Sequence, residues 1–335
     1  MLGAQVSPYL QKGETELTAS YRHFTADHHY RGGSELNQAV TSLKTQVISK
    51  MRFLEFGATY AVNQQFNLTL GVPYIAYASS NRALPATVAG SPRFAHTSTG
   101  FGDVTVGGRY WLLDCDSNPN QNIGIGLSLK IPTGDNGVKD LFPNGAGQDL
   151  RVRPVDQSIQ PGDGGWGFIA SFEWFKGVRN FTLFAHGAYL FNPRGQNRTI
   201  SPPALLNPNG PTAVNSNFRF NTVNDSYIAR IGVGYPISFL PGAALLFAGR
   251  LEGVPETDLL GETIGFRRPG YFVSVEPGIT YSTGITTFSF SVPLRVRQYV
   301  QDSFGAPRDS TFADRMFLFS VSYRFGGDGG IVGVR

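Results

Sequence analysis

The chain has 335 residues, 41% of them hydrophobic and only 16% charged, against roughly 25% charged in a typical soluble domain. Its net charge of +4 is spread along the chain without a block of like charges, which argues against a nucleic-acid partner. The single cysteine, Cys115, excludes an intramolecular disulfide, and no run reaches the roughly 18 apolar residues of a membrane helix.

Taken in order, the chain opens with "MLGA" before Gln5, read as the tail of a clipped secretory signal, and residues 1–14 read as an N-terminal periplasmic segment. From there twelve segments alternate large apolar residues with small or polar ones at the period of a strand. The first, "ELTASYRHF", places Leu17, Ala19 and Tyr21 on one face, and "RFLEFGATYAV" follows with Leu54, Phe56 and Tyr60. Next come "FNLTLGVPYIAYA", "DVTVGGRYWLL" and "IGIGLSLKI"; the last sets Ile123, Ile125, Leu127, Leu129 and Ile131 against Gly124, Gly126, Ser128 and Lys130. "WGFIASFEWF", "FTLFAHGAYLF", "YIARIGVGYPI" and "LLFAGRLEGV" continue the pattern, and "YFVSVEPGITY", "TTFSFSVPLRVR" and "DRMFLFSVSYRF" complete it.

The connections alternate in length. Short ones lie at 63–65, 114–121, 176–180, 239–243 and 282–284, and long ones at about 24–44, 79–101, 133–165, 193–226, 256–269 and 300–313. Loops beyond about 15 residues are uncommon in compact soluble domains. Recurring at every second connection, they predict an all-β fold: a single antiparallel transmembrane β-barrel of about twelve strands over residues 15–325. Its short turns are periplasmic, its long loops extracellular, and residues 326–335 form a tail. The apolar face then meets the lipid bilayer of the outer membrane. Aromatics near strand ends, among them Tyr60, Tyr74, Tyr110, Trp111, Tyr271 and Tyr299, are expected to form interfacial girdles.

The opposite face carries both signs of charge, which a wet lumen tolerates and a dry core does not. The candidate lumen-lining residues are Arg109, Lys130, Glu173, Arg230 and Arg250, with Glu252, Glu276, Arg295, Arg297 and Arg324 further along; Arg52 is read the same way. The arginine surplus of the second half predicts a modest anion preference.

The hairpin "GFGDVTVGGRYWLL"–"IGIGLSLKIPTGD" resembles outer-membrane barrels described as the MetA pathway of phenol degradation, through Gly100 to Asp103 and Pro132 to Gly134. The resemblance implies a transporter-like barrel and a small-molecule solute, with aromatic compounds as the associated chemistry. The ending "FSVSYRF" resembles the C-terminal signal read by the barrel-assembly machinery, although ten residues follow Phe325.

No motif calls for a cofactor or a metal, and none supports an enzyme. His96 and Ser98, two residues apart in "FAHTSTG", are the one pairing of a base with a hydroxyl. His28 and His29 are expected in a solvated loop. The third long loop holds Asp135, Asp140, Asp149, Asp156 and Asp163, read as a hydrated acidic loop with calcium binding as the sharper alternative. That loop is also long enough to fold into the lumen as a constriction. The function read from these features is passage of small molecules through a narrow polar lumen. The alternatives are a closed barrel that acts through its loops and a lipid-acting enzyme built on His96 and Ser98.

Overall fold

The computed structural model describes residues 9–36, 42–209, 216–304 and 308–327. The possible signal remnant and most of the C-terminal tail lie outside these residues.

Twelve antiparallel strands follow one another around a closed ring. They are β1 (Glu14–Arg31), β2 (Ile48–Ala61), β3 (Phe66–Ala83), β4 in two runs (Arg93–Phe101 and Val104–Trp111), β5 (Gln121–Ile131) and β6 (Gly167–Val178). The second half comprises β7 (Phe181–Phe191), β8 (Ser226–Pro236), β9 (Ala243–Val254), β10 (Gly270–Thr283), β11 in two runs (Thr286–Ser291 and Leu294–Val300) and β12 (Ser310–Gly326). Closure is made by β12 on β1, with Leu17 opposite Tyr323, Ala19 opposite Val321 and Tyr21 opposite Phe319.

Residues directly opposite in neighbouring strands share a face, so the register carries one apolar row around the wall. Tyr323, Leu17, Ala58, Leu70 and Val106 are successive partners, and Leu129 and Phe168 continue the row. Leu127 is 64% exposed, Ile231 65% and Phe247 56%. Leaving a side chain of this kind in water forgoes about 1.5–3 kcal/mol each. A belt of them encircling a closed sheet is a surface made for hydrocarbon. No described helix is long and apolar enough to cross a membrane.

The short turns follow local chemistry. Asn63 accepts the N–H groups of Gln65 and Phe66 on its side-chain oxygen at 2.9 and 2.8 Å, which closes the β2–β3 turn. On the external side the strands run further than the alternation alone suggested. β1 continues to Arg31, and β3 and β4 reach Ala83 and Arg93, so 79–101 is mostly a hairpin and His96 and Ser98 stand on a strand.

Three expectations are overturned. In β11, Arg295 pairs with Ser274 but Arg297 pairs with Val273, because Val296 is an extra residue in a bulge. The bulge reverses the alternation and turns Arg297 to the outer wall beside Tyr299 and Tyr271. Arg52 also faces outward, carried there by the alternation that exposes Phe56. It lies opposite His23 and Tyr77, its guanidinium 5.8 Å from the Tyr77 ring. Trp111 is not a girdle residue. It follows the outward Tyr110, so it points inside, where it is 2% exposed.

Candidate functional site

Three of the cavities in the lumen lie in succession. The external one holds about 430 Å³. It shares Arg22 and Glu252 with a central cavity of about 400 Å³. The central cavity in turn shares Arg230, Leu246, Thr280, Ser289 and Ser320 with one of about 350 Å³ that ends at Leu10, Trp111 and Phe184. A chain of void thus runs from the loops to the N-terminal segment.

The external end is built by the third long loop. It enters the barrel, where Val155 and Ile159 are fully buried against Ile75 and Ala78, with Met51 and Phe53 alongside. Asp156, 2% exposed, is clamped by Arg82 and by Arg268 at 3.3 Å, and accepts the Ser158 N–H at 3.0 Å. Burial alone would raise this carboxyl; the two guanidiniums and the Ser158 N–H outweigh it and hold it well below the usual carboxylate range. The His96 ring accepts the Asp156 N–H on Nε2 at 3.2 Å, and the Ser98 hydroxyl donates to the Ile159 carbonyl. The base and hydroxyl noted in the sequence are therefore both occupied in docking the loop.

The two halves of the hairpin motif meet at the foot of this loop. Thr133 Oγ1 accepts from the Val104 N–H at 2.9 Å and donates to the Gly102 carbonyl at 2.9 Å. Asp103 accepts the N–H of Gly134 at 2.9 Å and that of Asp163 at 3.2 Å. Lys130 bonds Asp163 and lies 3.8 Å from Asp103. Gly134 and Gly162 touch backbone to backbone: a Cβ on Gly162 would sit 2.3 Å from the Gly134 carbonyl oxygen, so neither position has room for a side chain.

The other loop aspartates are scattered rather than gathered. Asp140 accepts from the Thr97 N–H at 2.8 Å, and Asp149 pairs with Arg153 at 3.0 Å. Among the described residues no three acidic, histidine or cysteine side chains form a metal-sized group. His28 pairs with Glu35 at 2.8 Å and His29 with Asp309 at 3.3 Å, both on the external extension of β1.

The middle of the lumen carries most of the charges picked from the sequence, as mutually neutralising rungs. Arg109 meets Glu173 at 2.9 Å. Glu276, 2% exposed, takes Arg230 at 3.0 Å and Arg250 at 3.4 Å, while Ser291 donates to it at 2.8 Å. Glu252 accepts from Arg250 Nε at 3.0 Å. Arg295 faces the external cavity, bonded to Asp314 and to the Tyr30 hydroxyl at 3.1 Å. Lys130 faces inward but serves the loop latch, buried away from the cavities. Arg324 stands at the periplasmic end, bonded to Glu16 at 2.7 Å.

The periplasmic end is narrowed by a stretch of sequence that carried no signal. Tyr9 and Leu10 are 5% and 2% exposed inside the barrel mouth. Tyr9 packs edge-on against Trp111 and Phe175, centroids 5.4 and 5.7 Å away. Its hydroxyl donates to the Asn118 carbonyl at 2.8 Å and accepts from Asn122 at 3.0 Å. Gly124 makes room for this seal: a Cβ there would lie 3.0 Å from the Trp111 ring. Cys115 is buried beneath it, its thiol pushed up to about 11 by burial and by Asp114 and Asp116. Arg22 is the other omission, although its position between Tyr21 and His23 already marks it as inward.

A lipid-facing belt, a closed antiparallel ring of twelve strands and a charged interior define an outer-membrane β-barrel. No family model matches the sequence, and no curated protein matches it. Solved structures do. An outer-membrane channel of Pseudomonas putida F1 superposes with a TM-score of 0.61 at 14% identity, covering 94% of this chain and 97% of that one. The β domain of the Bordetella autotransporter BrkA gives 0.47 at 12%, covering 94% and 100%, and the Pseudomonas putida toluene transporter TodX gives 0.45 at 12%, covering 94% and 90%. The first likeness establishes the fold across nearly the whole chain.

Proposed function

We propose that this chain forms a narrow outer-membrane channel for small molecules. The observation that carries the reading is the succession of three cavities joined by shared lining residues along the lumen. Twelve strands enclose more than the side-chain-filled interior of eight and less than the open pore of sixteen. The inward loop and the inward N-terminal segment narrow what remains. Aromatic compounds are the favoured solute class, through the resemblance carried by Gly100 to Asp103 and Pro132 to Gly134. The structural match to a channel is consistent with a transport role.

The anion preference drawn from the arginine count weakens once partners are seen. Arg109, Arg324 and Arg295 are balanced by Glu173, Glu16 and Asp314. Arg297 has left the lumen. Near-balanced ion selectivity follows, and purified protein in planar bilayers tests both points. Conductance with a reversal potential near zero under a salt gradient is expected; no conductance at all would sink the channel reading.

The Arg–Glu rungs and the aromatic seal favour a second reading, a closed barrel that works through its loops. The same recording separates the two. Assembly-machinery recognition belongs to β12, whose Phe325 is 44% exposed on the outer wall. Phe325→Ala is expected to slow membrane assembly without altering the conductance of barrels that do assemble.

A further inference from the structure

We propose that the external cavity is a binding site for an amphipathic monoanion, with Arg22 as the anchor for its carboxylate. The inference rests on the channel reading and names the solute chemistry. The register arranges the cavity in layers. Arg22 pairs across the wall with Phe53 of β2 and Leu318 of β12, which border the central cavity, and Met51, Phe24 and Met316 form the next row toward the outside and line the external one. Phe272 and Phe312, ring centroids 6.0 Å apart, add to the apolar lining, and Ile159 of the docked loop borders it. The wall above Arg22 is thus hydrocarbon and thioether on neighbouring strands, suited to an aryl or alkyl body.

Arg22 stands at the inner end of this wall, where the external and central cavities join. The other cations of the cavity are committed. Arg82 and Arg268 share Asp156, and Arg295 holds Asp314. Arg22 has a ring contact, 5.0 Å to Phe53, and no carboxylate within ion-pair distance among the described residues. Of the nearby acids, Glu252 is taken by Arg250, Asp309 by His29, and Glu55 lies one row toward the periplasm and borders the central cavity instead. A half-buried guanidinium beneath an apolar wall is complementary to a carboxylate carried on an apolar body.

The test is equilibrium binding to the whole protein in lipid nanodiscs, which keeps detergent out of the cavity. The probes are 4-phenylbutyrate and its neutral isostere 4-phenylbutanamide, followed by calorimetry. The acid is expected to bind about tenfold more tightly than the amide, as a charge-assisted hydrogen bond implies. Arg22→Gln should erase that preference and Arg22→Lys should keep part of it, while Met51→Ala should weaken both probes alike. Heat-modifiable electrophoretic migration reports whether each variant is folded, and the comparison of acid with amide on the unaltered protein needs no variant at all. Equal binding of the two probes, no binding of either, or a preference that survives Arg22→Gln would overturn the proposal. Conductance is measured separately: acid-selective binding without conductance refutes passage and leaves the site, and conductance without selective binding does the reverse.

Discussion

The two mouths of this barrel are narrowed by different physics. The external mouth is filled by a long loop held through charge and backbone contacts: Asp156 between two arginines, Asp103 on two N–H groups, and Gly134 against Gly162. The periplasmic mouth is filled by two residues, Tyr9 and Leu10, against an aromatic cluster with few hydrogen bonds. A large insert needs many polar anchors because its backbone must be satisfied inside the wall. A small one needs mainly a complementary apolar surface.

The strongest way to break this comparison is to remove the external insert. Deleting residues 136–160 is expected to raise single-channel conductance several-fold, since it removes Val155, Asp156 and Ile159 from the lumen. Unchanged conductance would show that the loop is not a constriction. Opening the other end should do less. Tyr9→Ala with Trp111→Ala is expected to increase conductance by a smaller factor and to lower unfolding stability in lipid by about 3–5 kcal/mol, the usual cost of emptying a large aromatic site. A larger conductance gain than the loop deletion gives would place the narrowest point at the periplasmic end.

Between the mouths, Glu276→Gln strips Arg230 and Arg250 of their shared carboxylate. A loss of about 3 kcal/mol in urea unfolding from lipid vesicles is expected, because Arg230 remains partly buried without a carboxylate while Arg250 keeps only Glu252. A loss below about 1 kcal/mol would mean that water already screens this part of the lumen. The smallest effect is the pH response of the loop. Asp156 has its carboxyl lowered by folding, so the stability it contributes is complete above the ordinary carboxylate pKa of about 4 and drains away only as the pH falls below it. Proteolytic cutting within residues 136–160 should be flat from pH 8 to about pH 7, rise first as acid protonates His96, whose Nε2 must stay unprotonated to accept the Asp156 N–H, and rise again below about pH 4 as Asp156 protonates. A profile flat down to about pH 5 would show that His96 does not hold the loop.

Much of the barrel was legible because lipid imposes a rule on every strand. Each outward position must be apolar, so strand number, strand order and the lipid face all follow from a period of two and from alternating loop lengths. Most inward charges were legible for the same reason: Arg109, Glu173, Arg230, Arg250, Glu252 and Glu276 oppose apolar residues at fixed parity. What the tertiary structure alone decided lies where that rule lapses. A one-residue bulge at Val296 sent Arg297 outside, and no local pattern announces a bulge. Which arginine meets which glutamate depends on neighbours far apart in the chain. Tyr9 and the third loop fold inward because the closed ring offers them buried walls, and such walls exist only after the strands have come together.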